Sequence, residues 1–99
     1  MSDIARRVVI RGRVQGVGFR AYVEYAALRH GLHGWVRNRR DGSVEAAFSG
    51  APEAVAAVIA ACRHGPGGSR VEAVDESSAG PDDINQRYAG DLFSVLPTA

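Results

Sequence analysis

Apolar and polar residues alternate in three stretches of the chain with the two-residue period of a β-strand. The first stretch runs from Arg7 to Val14, and the second runs from Leu32 to Asn38. The Asp41-Gly42 pair that follows is a strong tight-turn signal, so we expect the second and third strands to form a hairpin. In the first and third stretches, the apolar residues that share one face are Val8, Ile10, Val14, Val44, Ala46 and Phe48.

Two other stretches follow the 3.6-residue period of an α-helix. Residues 19–31 carry apolar side chains at helical spacing, namely Phe19, Tyr22, Val23, Ala26 and Ala27. Tyr25 and Leu28 lie beside this stripe, which leaves open whether the buried face is narrow or wide. The second helix is predicted to start at Pro52 and to end before Gly65. Its apolar positions i, i+3, i+4 and i+7 are Val55, Val58, Ile59 and Cys62.

The remaining residues predict a fourth strand from Arg70 to Asp75 and a short fifth strand from Leu92 to Leu96. Between them, Ser77 to Asp91 is polar without a clean period, and we expect an irregular connection. The element order β-α-β-β-α-β predicts a ferredoxin-like α+β sandwich, an antiparallel sheet with both helices on one face and a short extra C-terminal strand. This fold hosts many unrelated activities, so it does not indicate a function.

Length and composition narrow the class of protein. Ninety-nine residues support one domain, residues 1–99, and no apolar run approaches the length of a membrane span. The N-terminal residues lack the apolar core of a secretory signal. The one cysteine, Cys62, excludes a disulfide within the chain, which agrees with a reducing compartment. We therefore expect a cytoplasmic protein, a monomer, that does not bind membranes.

Charge is distributed unevenly along the chain. Residues 1–40 contain nine arginines and two acidic residues, a net charge of +7, whereas residues 41–99 contain three arginines and nine acidic residues, a net charge of −6. The first part is suited to an anionic ligand. The alternative is a bias in residue choice, because all twelve basic residues are arginine and none is lysine.

The glycine-rich segment GRVQGVGFR, Gly12 to Arg20, is the strongest candidate for an anion site. It matches neither G-x-G-x-x-G nor the P-loop motif, which requires a lysine that the chain lacks. A glycine loop that leads from a strand into a helix N-terminus can still direct several backbone N–H groups at one anion. The alternative is a tight connection in which glycine only permits a positive φ.

Arg20 strengthens the anion interpretation because it is predicted in the first turn of the helix. A helix N-terminus carries about half a positive charge, so a cation there is unfavourable unless an anion lies nearby. The guanidinium is planar and can donate to two phosphate oxygens at once. We expect the anion to be a phosphoryl group, although a solvated surface arginine is the plain alternative.

Two segments of the sequence resemble the signatures of the acylphosphatase family. The first is I-R-G-R-V-Q-G-V-G-F-R, Ile10 to Arg20, and the second is G-W-V-R-N-R-R-D-G-S-V-E-A-A-F-S-G, Gly34 to Gly50. The resemblance extends over about residues 5 to 76. It implies the same ferredoxin-like fold and an enzyme that hydrolyses the carboxyl–phosphate bond of small acyl phosphates without a metal or cofactor. The segment from Ser77 to Asp91 departs from the family pattern.

The resemblance also implies the roles of individual residues. Arg20 binds the phosphate and Asn38 orients the attacking water. The phosphate-binding loop is completed by backbone N–H groups of Gln15, Gly16, Val17, Gly18 and Phe19. No metal ligand is implied. Glu24 lies one helical turn beyond Arg20, and we expect it to form an i, i+4 ion pair with Arg20 rather than to act as a general base.

The other side chains with reactive or metal-binding groups are expected to have mainly structural roles. His30, His33 and His64 are too scattered to predict a metal site. Cys62 lies on the apolar stripe of the second helix, and we expect it in the core. Trp35 is expected to be a packed aromatic. The three arginines that flank Asn38 either steer anionic substrates or solvate a turn: Arg37, Arg39 and Arg40.

Two other functions fit the predicted fold less well. An RNA-binding domain would suit the basic half of the chain, but the aromatic-rich R-G-F-G-F-V strand that stacks bases is absent, so no nucleic acid is expected. The third possibility is an acylphosphatase-like domain of a larger carbamoyl-transferring maturation protein. No zinc-type cysteine pairs follow the domain, which favours a stand-alone enzyme.

Overall fold

A computed structural model of the chain describes residues 2–99. Its five strands and three helices confirm the predicted element order and add one short helix. The strands are β1 (Ile4–Arg13), β2 (His33–Asn38), β3 (Val44–Gly50), β4 (Arg70–Ser78) and β5 (Phe93–Val95). The helices are α1 (Phe19–Arg29), α2 (Pro52–His64) and α3 (Pro81–Ile84).

The strands form one sheet in the order β4-β1-β3-β2-β5, which confirms the ferredoxin-like arrangement. β1 pairs antiparallel with β3 and β4, and β2 pairs antiparallel with β3. β5 departs from the expected antiparallel sheet, because it runs parallel to β2 along the outer edge. The connection from β4 crosses the sheet to its far edge, and β5 therefore enters in the direction of β2. The sheet is mixed rather than fully antiparallel.

One face of the sheet packs against α1 and α2 and forms the main core. The predicted face residues of β1 and β3 are buried there, and the α2 stripe of Val55, Val58, Ile59 and Cys62 is buried as predicted. Burial of each large aliphatic side chain contributes roughly 1.5–3 kcal/mol. The α1 stripe is narrow, because Tyr25 and Leu28 are 64% and 48% exposed. This core holds α1 against β2 and β5.

The opposite face of the sheet is covered by the segment that was expected to be irregular. β4 continues to Ser78, and Pro81–Ile84 forms the one-turn helix α3, in which the Asp83 carboxylate accepts a hydrogen bond from the Gly80 N–H at 2.8 Å. The indole N–H of Trp35 donates to the Asp83 carbonyl at 2.5 Å, and Trp35 packs with Ile84. The expectation of an irregular connection from Ser77 to Asp91 is therefore wrong for residues 77–78 and 81–84. The sequence pattern missed α3 because it is stabilised by a contact with Trp35, which is distant in the sequence.

An ion cluster lies beside Trp35 on the same face. The Glu45 carboxylate is buried and pairs with Arg7 and with Arg37, whose Nε donates at 2.8 Å. The Arg37 guanidinium also lies 4.6 Å from the centre of the Trp35 ring. A buried carboxylate requires such partners. Arg37 is therefore held in the structure and is neither a free steering charge nor a solvated turn residue.

The described helices include none that is long and apolar enough to cross a membrane.

Candidate active site

A cleft of about 340 Å³ opens where the glycine loop, the start of α1 and the end of β2 meet. Its apolar wall is formed by Val14, Phe19 and Val95, and its polar groups come from the loop, α1 and β2. The complete set of lining residues is Val14, Gly16, Gly18, Phe19, Arg20, Ala21, Glu24, Asn38 and Val95. The two signature segments, separate in the sequence, therefore meet at one site.

The loop turns into α1 through two glycines with left-handed backbone. Gly16 has a φ of 73° and Gly18, the N-cap of α1, has a φ of 79°. A Cβ atom built on either glycine would meet nothing within 4 Å. Glycine is thus favoured at these positions by the backbone conformation, not by lack of space.

Several backbone N–H groups along the cleft have no partner among the described residues 2–99. The first hydrogen bond of α1 runs from the Tyr22 N–H to the Gly18 carbonyl at 3.1 Å. Among residues 2–99, no protein acceptor receives the N–H groups of residues 16–21. These groups lie at the positive end of the helix dipole, where an anion is favoured.

Arg20 is the second residue of α1 and lines the cleft. Its side chain is exposed, and among residues 2–99 no hydrogen bond or ion pair holds it. Glu24 lines the same cleft, but the expected ion pair between Arg20 and Glu24 is not formed. The first turn of α1 contains no acidic residue. The guanidinium is therefore available to an anion in the cleft.

Asn38 is the last residue of β2, with a half-buried side chain that lines the cleft. Its main chain is fixed on both sides. The Asn38 carbonyl accepts from the Ala99 N–H at 3.0 Å, and the following Arg39 N–H donates to the Ser43 carbonyl at 2.8 Å. Within residues 2–99 the carboxamide itself makes no hydrogen bond, so it can both donate to and accept from a ligand.

Two residues of the predicted phosphate-binding set, Gln15 and Val17, do not line the cleft. The Gln15 side chain points instead to the β2–β3 turn, where its Nε2 donates to the carbonyls of Arg39 at 2.7 Å and Ser43 at 2.8 Å. The sequence gives no signal for this contact, because the acceptors are backbone carbonyls that any residue would supply. The predicted role of the Gln15 and Val17 N–H groups stays a prediction.

The β2–β3 turn that bears Asn38 is closed by Asp41. Its carboxylate accepts from the Ser43 N–H at 2.9 Å and from the Ser43 hydroxyl at 2.6 Å. These hydrogen bonds hold the pKa of Asp41 below its usual value. The Asp41-Gly42 pair thus forms the tight turn that was predicted, and the end of β2 is held in place.

The other candidate residues lie outside the cleft. No group of three or more His, Cys, Asp or Glu that could hold a metal ion occurs within the described range 2–99. Burial raises the pKa of the Cys62 thiol to about 12, which makes it an unreactive core residue. Trp35 is buried on the opposite face of the sheet, as a packed aromatic. The cleft therefore contains a cation, an amide and a row of N–H groups as its polar donors.

Such a site can bind a dianionic group and can orient a small molecule beside it, which is what phosphoryl transfer by positioning and charge stabilisation needs. The apolar wall leaves room for an organic substituent. Among residues 2–99, Glu24 is the one carboxylate that lines the cleft.

Comparison with known proteins identifies the family of the chain. Residues 6–89 match the family model described as Acylphosphatase. Acylphosphatases of Bradyrhizobium diazoefficiens and of Rhodopseudomonas palustris strain BisB18 are 63% and 57% identical over 98 residues, with 99% of both chains covered in each case. The crystal structure of acylphosphatase from Bacillus subtilis superimposes with a TM-score of 0.80 at 33% identity and covers 94% of this chain and 98% of that one. The family-model match and the identity to these relatives show that the chain belongs to the acylphosphatase family of enzymes.

Proposed function

We propose that this protein hydrolyses the carboxyl–phosphate bond of small acyl phosphates to a carboxylate and inorganic phosphate. One observation carries the proposal. The guanidinium of Arg20, the carboxamide of Asn38 and a row of backbone N–H groups line a single cleft, and none of them has a partner within residues 2–99. A phosphoryl group and a water molecule are the ligands that such a set of donors suits best.

In this proposal the phosphate binds between the loop and the guanidinium. Backbone N–H groups of Gln15 to Phe19 donate to its oxygens, and Arg20 donates through two N–H groups of its planar fork. The negative charge then lies at the positive end of α1, where the helix dipole stabilises it. These contacts strengthen as charge develops on the equatorial oxygens in the transition state.

Asn38 orients the attacking water from the end of β2. Its carboxamide can accept one hydrogen bond from the water and donate another, but it cannot remove a proton near neutral pH. The water oxygen bonds to phosphorus as the bond from phosphorus to the acyl oxygen breaks, and the water proton passes to an oxygen of the phosphate. The side chain therefore contributes orientation rather than base catalysis.

The chemistry of the leaving group explains why so few groups suffice. A carboxylate has a conjugate acid with a pKa of about 4, so it departs unprotonated. The reaction needs neither a general acid nor, in this proposal, a metal or cofactor. The acyl group would lie against the apolar wall formed by Val14, Phe19 and Val95. One chain supplies every group used, so we propose that the enzyme acts as a monomer.

Hydrolysis of benzoyl phosphate tests the proposal. We expect turnover by the wild type and a fall in kcat/KM of roughly a thousand-fold for Arg20→Ala and roughly a hundred-fold for Asn38→Ala. Arg29→Ala, in the last turn of the same helix, and Asn85→Ala, on the opposite side of the sheet, are the matched controls and should retain activity. An inert wild type, or catalytic variants that match their controls, would refute the proposal.

The choice of substrate gives a second test. Alkyl phosphate esters release an alkoxide, which needs a proton that no group in the proposed mechanism supplies. Glucose 6-phosphate should therefore react much more slowly than benzoyl phosphate at the same enzyme concentration. Comparable rates for the two compounds would show that the cleft contains an acid that the mechanism omits.

A further inference from the structure

The side chain of Gln15 joins the glycine-rich loop to the β2–β3 turn, which follows Asn38. Its single amide nitrogen donates to the Arg39 carbonyl at 2.7 Å and to the Ser43 carbonyl at 2.8 Å. These two residues close the β2–β3 turn, since the Arg39 N–H donates to the Ser43 carbonyl at 2.8 Å. The turn begins directly after Asn38. Both N–H groups of the Gln15 side-chain amide thus hold the backbone that follows Asn38.

In the part of the chain that the structure describes, no other hydrogen bond attaches the loop to this turn. β1 ends at Arg13, and the first backbone hydrogen bond of α1 reaches back only to the Gly18 carbonyl. Of the hydrogen bonds described within residues 2–99, the two from the Gln15 amide are the ones that tie residues 14–17 to the rest of the chain. Among the described hydrogen bonds, those of the Gln15 side chain therefore link the phosphate-binding loop to the turn that follows Asn38.

We propose that Gln15 is a positioning residue that sets the relative placement of the phosphate loop and Asn38. The inference rests on the function proposed above. Gln15 does not line the cleft through its side chain, and it acts by keeping the water held by Asn38 in line with the phosphorus atom. Reactions that depend on such alignment lose rate steeply when the reacting atoms are displaced by about 1 Å.

The chemistry of the contact restricts which side chains can make it. Two carbonyls in close proximity need two N–H donors at one point, and the amide of glutamine supplies them at the end of two methylene groups. Glutamate has the same length but offers no donor when ionised. Methionine has a similar shape but no donor, and asparagine keeps the donors but is one methylene shorter.

The proposal predicts a separation of phosphate affinity from turnover. The groups that bind phosphate belong to the loop backbone and to α1, so they stay together when the contact to the turn is lost. The position of Asn38 relative to these phosphate-binding groups, however, changes. Loss of the Gln15 amide should therefore lower kcat and leave the inhibition constant of inorganic phosphate almost unchanged.

The experiment measures kcat for benzoyl phosphate and the inhibition constant of inorganic phosphate in four proteins: the wild type, Gln15→Met, Asn38→Ala and the double variant. We expect Gln15→Met to lower kcat about ten-fold or more and to change the inhibition constant by less than about two-fold. In the Asn38→Ala background, Gln15→Met should lower kcat by less than about two-fold, because the residue it positions is gone. Gln86→Met, the same substitution beside Arg37 on the opposite face of the sheet, is the control.

Three results would overturn the inference in an active wild type. An unchanged kcat in Gln15→Met would remove the role, and a parallel loss of phosphate affinity would show that Gln15 shapes the phosphate loop itself. An undiminished effect in the Asn38→Ala background would show that it acts through another group. If Gln15→Met fails to fold, Gln15→Asn provides the same measurements with a polar side chain that is too short to reach both carbonyls. An inert wild type would instead refute the proposed function.

Discussion

The two long helices begin in opposite ways. In α2 the N-cap Ala51 has an extended backbone, Pro52 is the first helical residue, Glu53 is the second, and Arg63 and His64 occupy the last turn. In α1 the N-cap Gly18 is left-handed, Phe19 is the first residue and Arg20 is the second. The second helical position therefore carries an acid in α2 and a base in α1.

This difference separates a helix end that serves stability from one that serves ligand binding. Acidic residues near an N-terminus and basic residues near a C-terminus each stabilise a helix by about 0.3–1 kcal/mol, and α2 has both. Arg20 has the unfavourable sign at α1, and the N–H groups beside it have no partner among residues 2–99. Local rules of this kind tend to be broken where a site needs free groups. We infer that an anion completes the start of α1.

The largest expected effect is on kcat/KM when the guanidinium at the start of α1 is replaced by an ammonium group. Arg20→Lys keeps the positive charge but replaces the planar fork with a single ammonium group. We expect kcat/KM for benzoyl phosphate to fall about a hundred-fold, which corresponds to roughly 2.7 kcal/mol of transition-state stabilisation. Arg29→Lys at the other end of the same helix should leave the rate within about two-fold. Full activity of Arg20→Lys would show that charge alone suffices.

The second effect concerns the cap of α1. Gly18→Ala forces an alanine into a φ of 79°, and we expect the free energy of unfolding to fall by about 1–2 kcal/mol even though the new methyl group meets no atom within 4 Å. Urea denaturation measures this change. Gly67→Ala is the control, because Gly67 is equally open and has no positive φ. An equal stability for the two alanine variants would show that the left-handed cap is not required.

The smallest expected effect is on the free energy of unfolding when the charge at the start of α2 is reversed. Glu53→Arg gives α2 the same sign at its second position that α1 has, and it should lower the free energy of unfolding by about 0.3–1 kcal/mol at low salt. The loss should shrink in 1 M NaCl, because salt screens exposed charges. Glu53→Gln, which removes the charge without reversing it, should have about half the effect. A loss that salt does not change would have a cause other than the helix dipole.

Elements whose stability shows in a local pattern could be predicted from the sequence, and elements that depend on a distant contact could not. The α2 stripe from Val55 to Cys62 was predicted because four apolar residues at helical spacing define a face without any information from the rest of the chain. The helix α3 has only four residues, too few to show a period, and it is stabilised by the indole of Trp35 from a strand almost fifty positions away. Its formation is a tertiary effect.

The candidate site divides in the same way. The resemblance of their two segments to the acylphosphatase signatures implied that Arg20 and Asn38 lie at one site, and both residues line one cleft. The contact of Gln15 with the β2–β3 turn could not be predicted, because backbone carbonyls carry no sequence signal. The absence of an ion pair between Arg20 and Glu24 was also missed, since i, i+4 spacing only makes such a pair possible.

The central claim is that the unfavourable charge at the start of α1 is balanced by a bound phosphoryl group. The most direct measurement is the free energy of unfolding of the wild type and of Arg20→Ala, each with and without inorganic phosphate. Without phosphate, we expect Arg20→Ala to be as stable as the wild type or more stable by up to about 1 kcal/mol. Phosphate at a hundred times its dissociation constant should stabilise the wild type by about 2.7 kcal/mol and the variant much less. The wild type should then be the more stable of the two proteins. Equal stabilisation of both proteins by phosphate, or a variant that is the less stable one in its absence, would contradict the account.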